Sequence, residues 1–147
     1  MNLNNLTAEE KKIFADGQLH AYCNDEIILE PPSHAECIFE LFDSFKHTGN
    51  SRSGETPLEK LHNDFLDIDE NELVDLIAYF KQVDYYCSLV CCAYAMKYPY
   101  PLHVGNESTE EREDIDRVIS ACRQRYPWLT QEYIEMYLVG AVYMCIR

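Results

Sequence analysis

Glycine and basic residues are both scarce in this chain. Five glycines among 147 residues leave no loop whose backbone amides would cradle a phosphate, and no Gly-x-Ser-x-Gly elbow to present a nucleophilic serine. His-Glu-x-x-His is absent as well. Only 12 Lys and Arg stand against 26 Asp and Glu, a net charge of −14. That surplus repels nucleic-acid phosphates and anionic membrane surfaces, so neither is expected as a partner. Long apolar runs are missing too. The longest uncharged stretches, 85–96 and 136–146, fall short of the roughly 20 residues that span a bilayer. The opening MNLNNLTAEEKK has no apolar core of signal-peptide type. Strand signals are nearly absent, and no internal repeat or low-complexity segment is visible.

What is present is enough for a self-sufficient core. The chain is 47% hydrophobic and 12% aromatic, and a chain of this length buries roughly 70% of its unfolded surface. Disorder combines low hydrophobicity with high charge, and only the second holds here. Helix-start signals recur along the chain. A capping box pairs a Ser, Thr or Asp with a Glu three residues on, satisfying orphan amides at both positions. The pattern occurs at Thr7/Glu10, Ser33/Glu36, Thr56/Glu59, Asp69/Glu72 and Ser108/Glu111. Pro57 follows Thr56 at the favoured first helical position, and Thr130 offers a simpler cap.

Each signal precedes an apolar periodic run, which predicts six helices, over about 8–23, 34–47, 57–66, 70–97, 109–125 and 131–146. Expected inward residues are Ile13, Phe14, Leu19 and Tyr22, then Ile38, Phe39, Leu41, Phe42 and Phe45, then Leu73, Leu76, Ile77 and Phe80, then Ile115, Val118, Ile119 and Cys122. Residues 85–96 should be buried nearly all round. The expectation is an all-α single domain over 1–147: an irregular bundle of about six helices, with 70–97 and 131–146 central. Residues 49–55 read as a flexible loop and 98–107 as a proline-rich connector.

Seven cysteines, Cys23, Cys37, Cys87, Cys91, Cys92, Cys122 and Cys145, fall mostly within helical patterns, where Cys acts as a small buried hydrophobe. Their fraction is below that of disulfide scaffolds, and reduced thiols in the cytoplasm are expected. Two His-x-x-Cys pairs, His20/Cys23 and His34/Cys37, carry ligand types suited to a tetrahedral zinc site. The segment between the pairs is long for a zinc knuckle, and the favoured reading has Cys23 and Cys37 as core, with the histidines as surface or cap neighbours. Other chemistry fails on spacing. His34-Ala-Glu36 opens a zinc-deaminase signature that no Pro-Cys-x-x-Cys completes. Glu59-Lys-Leu-His62 is half of a di-iron pair without its second copy. The calcium-loop reading from Asp67 meets Glu72 where Gly is required and Ala78 where Glu is required. No catalytic set and no cofactor is expected.

The charge is unevenly spread. Residues 13–45 hold seven acids and no Lys or Arg; 61–80 hold six acids and none; 107–116 hold six acids and only Arg112. Acids in first turns complement helix dipoles, and the rest can be read as solvated faces. Uncompensated like charge nonetheless costs stability, and fast capture of a basic partner is a return for it. There are eleven tyrosines, several beside the proline-rich connector, and Tyr is enriched at protein interfaces.

The expected function is therefore an acidic binding protein, not an enzyme, that inhibits a basic protein partner by occlusion. A nuclease-type toxin is the foremost such partner, because bacterial immunity proteins and phage-encoded inhibitors share this size and charge. The expected contacts are Asp64, Asp67, Asp69, Glu70, Glu72 and Asp75, with Tyr98 and Tyr100 as anchors. A metal-binding helical protein or enzyme using His20, Cys23, His34 and Cys37 is the alternative, and a helical adaptor or homodimer a further one. Oligomeric state is open at this point.

Overall fold

The computed structural model describes residues 35–48, 54–98 and 108–144, together with Ala8. Among them there are five α-helices and no strand: α1 (Ile38–Lys46), α2 (Pro57–Asp64), α3 (Glu70–Lys97), α4 (Thr109–Arg125) and α5 (Gln131–Met144). The helix expected over 8–23 lies outside the described residues apart from Ala8. So do its cap Thr7, the loop residues 49–53 and the connector residues 99–107.

The helix starts follow the local chemistry of their caps. At α2 the reciprocal box forms in full. Glu59 N–H donates to Thr56 Oγ1 and Thr56 N–H donates to Glu59 Oε2, each at 3.2 Å, with Pro57 in the first turn. Ser108 Oγ accepts from Glu111 N–H at 3.1 Å to open α4. Thr130 Oγ1 accepts from Tyr133 N–H at 3.3 Å to open α5. Asp69 caps α3 one position short of the expected box, its Oδ2 accepting from Asn71 N–H at 3.2 Å.

The helix expected from residue 34 starts later. A 3₁₀ turn, Ala35–Cys37, precedes α1, and Cys37 at the N-cap makes no side-chain cap bond. Cysteine is too weak an acceptor to stabilise an α-helical first turn, and a tighter i→i+3 turn fills the place.

The described helices fall into two compact units, whose boundary lies between Asp84 and Tyr85 within α3. In the first, α1 packs on α2, and Ile38, Leu41, Phe42, Leu61, Leu73, Leu76 and Phe80 form a buried core with the first half of α3. Phe42 meets Phe80 edge-on at 5.4 Å between ring centroids, and Phe45 lies 5.7 Å from Phe80. These offset geometries suit the ring quadrupoles. At the rim, Lys46 pairs with Asp84 at 2.5 Å.

The second unit holds the rest of α3 with α4 and α5, and α4 packs on α5. Its core takes Tyr86, Val90, Cys91, Tyr94, Val118, Cys122, Tyr126, Leu129, Ile134 and Leu138. Tyr86 and Tyr126 meet edge-on at 5.6 Å, and the Arg125 guanidinium sits 4.8 Å over the Tyr86 ring. Residues 85–96 were expected to be buried nearly all round. Tyr86, Cys87, Leu89, Val90, Cys91, Tyr94 and Ala95 are buried, but Ser88, Cys92 and Ala93 are half-buried and Tyr85 is 42% exposed. A charge-free run removes the reason for a polar face without guaranteeing a neighbour for every face.

The cysteine expectation needs one correction. Cys87, Cys91 and Cys122 are buried thiols, and burial pushes the Cys91 thiol well up from its ordinary value, as inert packing thiols behave. Cys92, however, is disulfide-bonded. Successive helix positions point about 100° apart, so Cys92 leaves the face that buries Cys91 and is only half-buried.

Candidate acidic interface

The residues between α2 and α3 build a turn that the chain uses twice. Phe65 closes α2 with its N–H on the Leu61 carbonyl at 2.9 Å, and Ile68 N–H returns to the Phe65 carbonyl at 3.3 Å. Tyr126 closes α4 with its N–H on the Cys122 carbonyl at 2.8 Å, and Leu129 N–H returns to the Tyr126 carbonyl at 2.9 Å. Backbone angles agree at the two closing aromatics: φ −134°, ψ 75° at Phe65 and φ −127°, ψ 79° at Tyr126. In each turn the fourth residue is buried, Ile68 or Leu129, and the fifth caps the next helix, Asp69 or Thr130. A buried aliphatic pins each turn and the two residues before it are left outside the core. No sequence periodicity signals this, because the pinning residue belongs to neither helix.

That turn fixes where the expected acidic contacts lie. Asp64 ends α2, Asp67 sits in the turn, and Asp69, Glu70, Glu72 and Asp75 follow at the start of α3. Asp67, Asp69, Glu70 and Asp75 are exposed, and Glu72 is half-buried. None of the four exposed acids forms an ion pair among the described residues. Asp64 differs. It accepts from Ser44 Oγ at 2.6 Å and pairs with Lys60 at 3.0 Å. The Ser44 hydrogen bond first, and Lys60 second, hold its carboxyl below the usual carboxylate range.

Acids in the second unit are handled otherwise. Glu111 accepts the Tyr94 hydroxyl at 2.8 Å. Asp114 accepts both the Tyr98 hydroxyl, at 2.5 Å, and Arg117, at 2.6 Å. Arg112 reaches Asp116 at 3.2 Å. The acid-rich stretch of α4 is thus largely engaged by its own unit, whereas the stretch around Asp67 is not.

Tyr98, expected as an anchor beside those acids, lies in this second unit, half-buried and bonded to Asp114, with its ring 4.9 Å from that of Tyr94. Tyr100 lies outside the described residues, as do His20, Cys23 and His34 of the candidate zinc set. Cys37 is half-buried in the 3₁₀ turn. Among the described residues, no group of three or more His, Cys, Asp or Glu is placed to hold a metal ion, and no helix is long and apolar enough to cross a membrane.

Comparison with family models, with curated proteins and with solved structures finds no match to this chain.

Proposed function

We propose that this chain is an acidic binding protein that inhibits a basic protein partner by occlusion, in the manner of an immunity protein neutralising a nuclease-type toxin. The observation that carries the reading is the contrast between the two acidic stretches. Asp67, Asp69, Glu70 and Asp75 are exposed and outside any ion pair among the described residues, while Glu111, Asp114 and Asp116 of α4 are engaged by Tyr94, Tyr98, Arg112 and Arg117. Asp69 and Glu70 gain something from the α3 dipole, but Asp67 and Asp75 lie beyond the first turn. A cationic surface meeting these four carboxylates supplies charge compensation that no ion pair among the described residues provides, and long-range attraction steers it there. In this reading Asp64 supports the face through Ser44 rather than contacting the partner, and Glu72 sits at its edge.

The proposal takes the chain as a bundle of about six helices, with a further helix over 8–23 and with α3 and α5 central. Backbone chemical shifts over 8–23 test that part. The functional part is tested with the cognate partner captured from the native host, its association rate measured across a salt series. A rate falling steeply with ionic strength supports electrostatic occlusion. A rate indifferent to salt ends the reading.

A further inference from the structure

Two large apolar side chains stand in solvent beside these carboxylates. Leu66 is 76% exposed and Val74 is 49% exposed. The folding of the chain does not account for Leu66. It occupies the second position of the Phe65–Ile68 turn, which the turn geometry leaves outside the core. The sister turn puts Pro127 at that position, also exposed. Pro is favoured there because its fixed φ matches the turn. A leucine at 66 brings neither that pre-organisation nor burial. Val74 lies one helical turn after Glu70, about 100° or more around α3 from buried Leu73, Leu76 and Phe80. Ala78 continues the same row, exposed and uncharged. The outer face of the α3 start is therefore apolar along its middle and acidic beside it.

We infer that Leu66 and Val74 are apolar anchors that receive a cationic amphipathic segment of the partner, one that presents aliphatic side chains between lysines or arginines. This rests on the occlusion reading and adds to it the chemistry of the recognised element. Charge complementarity selects the occupant. A second copy of the chain would bring like charge against Asp67, Glu70 and Asp75, and a neutral apolar segment would strip water from those carboxylates with nothing in return. Lysines or arginines on either side of an aliphatic ridge satisfy both demands. The carboxylates then govern the association rate and the anchors the dissociation rate, because desolvated apolar contact is insensitive to salt.

The test uses the full-length protein and two synthetic peptides of equal charge. One is a helical peptide with a lysine face and a leucine face; the other has serine at every leucine. The protein should bind the lysine/leucine peptide about tenfold more tightly, the effect of burying one or two aliphatic side chains. The double variant Leu66→Pro/Val74→Ser should lose that preference and keep the salt-dependent binding common to both peptides. If the variant keeps the full preference, or the unsubstituted protein shows none, the anchors are wrong and the acidic reading survives on its salt dependence. If neither peptide binds at low salt, the acidic reading falls with them. A dimer in sedimentation velocity that becomes monomeric in the double variant would assign the face to a second copy and overturn the inference. Circular dichroism and melting of the variant confirm that its fold is kept.

Discussion

Ser44 donates a 2.6 Å hydrogen bond to Asp64, joining α1 to the last residue of α2 across twenty positions of sequence. Lys60 approaches the same carboxylate oxygen from within α2. Asp64 is thus committed to the fold, although in the sequence it reads like its neighbours Asp67 and Asp69. Its folded pKa is depressed, so its contribution to stability is present above the ordinary carboxylate value and is lost as pH falls through the folded value. Ser44→Ala should move the Asp64 pKa back toward the ordinary value in an NMR titration, since Ser44 is the largest cause of the depression. An unchanged titration would mean that Lys60 alone holds it.

Tyr94 is the counterpart in the second unit. Its side chain is 3% exposed and its hydroxyl donates to Glu111. Burial first, and the Glu111 carboxylate second, push its phenol above the ordinary tyrosine value. Its contribution is therefore complete below the ordinary value near pH 10 and is lost as pH rises beyond it. Tyr94→Phe should cost about 1–2 kcal/mol in urea unfolding, the range for a hydrogen bond to a charged acceptor in a partly wet site. It should also reduce by one the tyrosines that ionise only on alkaline unfolding, read by ultraviolet absorbance.

The aromatic cluster of the first unit makes a larger prediction. Phe42 is fully buried and in contact with both Phe45 and Phe80. Phe42→Ala should lose about 3–5 kcal/mol, the transfer term plus the cavity it leaves. Phe45→Ala, at a half-buried position, should lose clearly less. Midpoints of denaturant unfolding at unchanged slope check both.

Local backbone chemistry makes two smaller predictions of opposite sign. Thr56→Ala removes one half of the α2 capping box and should cost about 1 kcal/mol, with Thr56→Ser retaining most of it. Leu66→Pro should leave stability unchanged or raise it by about 0.5 kcal/mol. Phe65 already holds the conformation that Tyr126 holds before Pro127, and proline there removes freedom only from the unfolded chain. A loss of several kcal/mol in Leu66→Pro would show that the two turns are not equivalent.

Much of the described fold was legible from the sequence. Caps at Thr56, Ser108 and Thr130, with 3.6-residue periodicity behind them, marked α2, α4 and α5, and Asp69 marked the start of α3. The inward residues of α4, Ile115, Val118, Ile119 and Cys122, are all buried. The turns were not legible. Ile68 and Leu129 pin them from outside any helix, and Phe65 and Tyr126 look like ordinary apolar positions at a helix end. Cys92 was misread as a thiol, because its one-residue offset from Cys91 matters only once a facing neighbour exists.

The acidic surface divides along the same line. Sequence alone determined that the chain is helical and strongly acidic, and that 61–80 carries no basic residue, because caps, periodicity and charge count are local or additive. Which acids are engaged by partners among the described residues was decided only by the tertiary structure. Ser44 reaches Asp64, Tyr94 reaches Glu111 and Tyr98 reaches Asp114 across 16 to 20 residues, and no spacing rule spans such a gap. The same holds for Leu66. Its hydrophobicity is written in the sequence, but its exposure follows from a turn that turns it outward and closes over Ile68 instead.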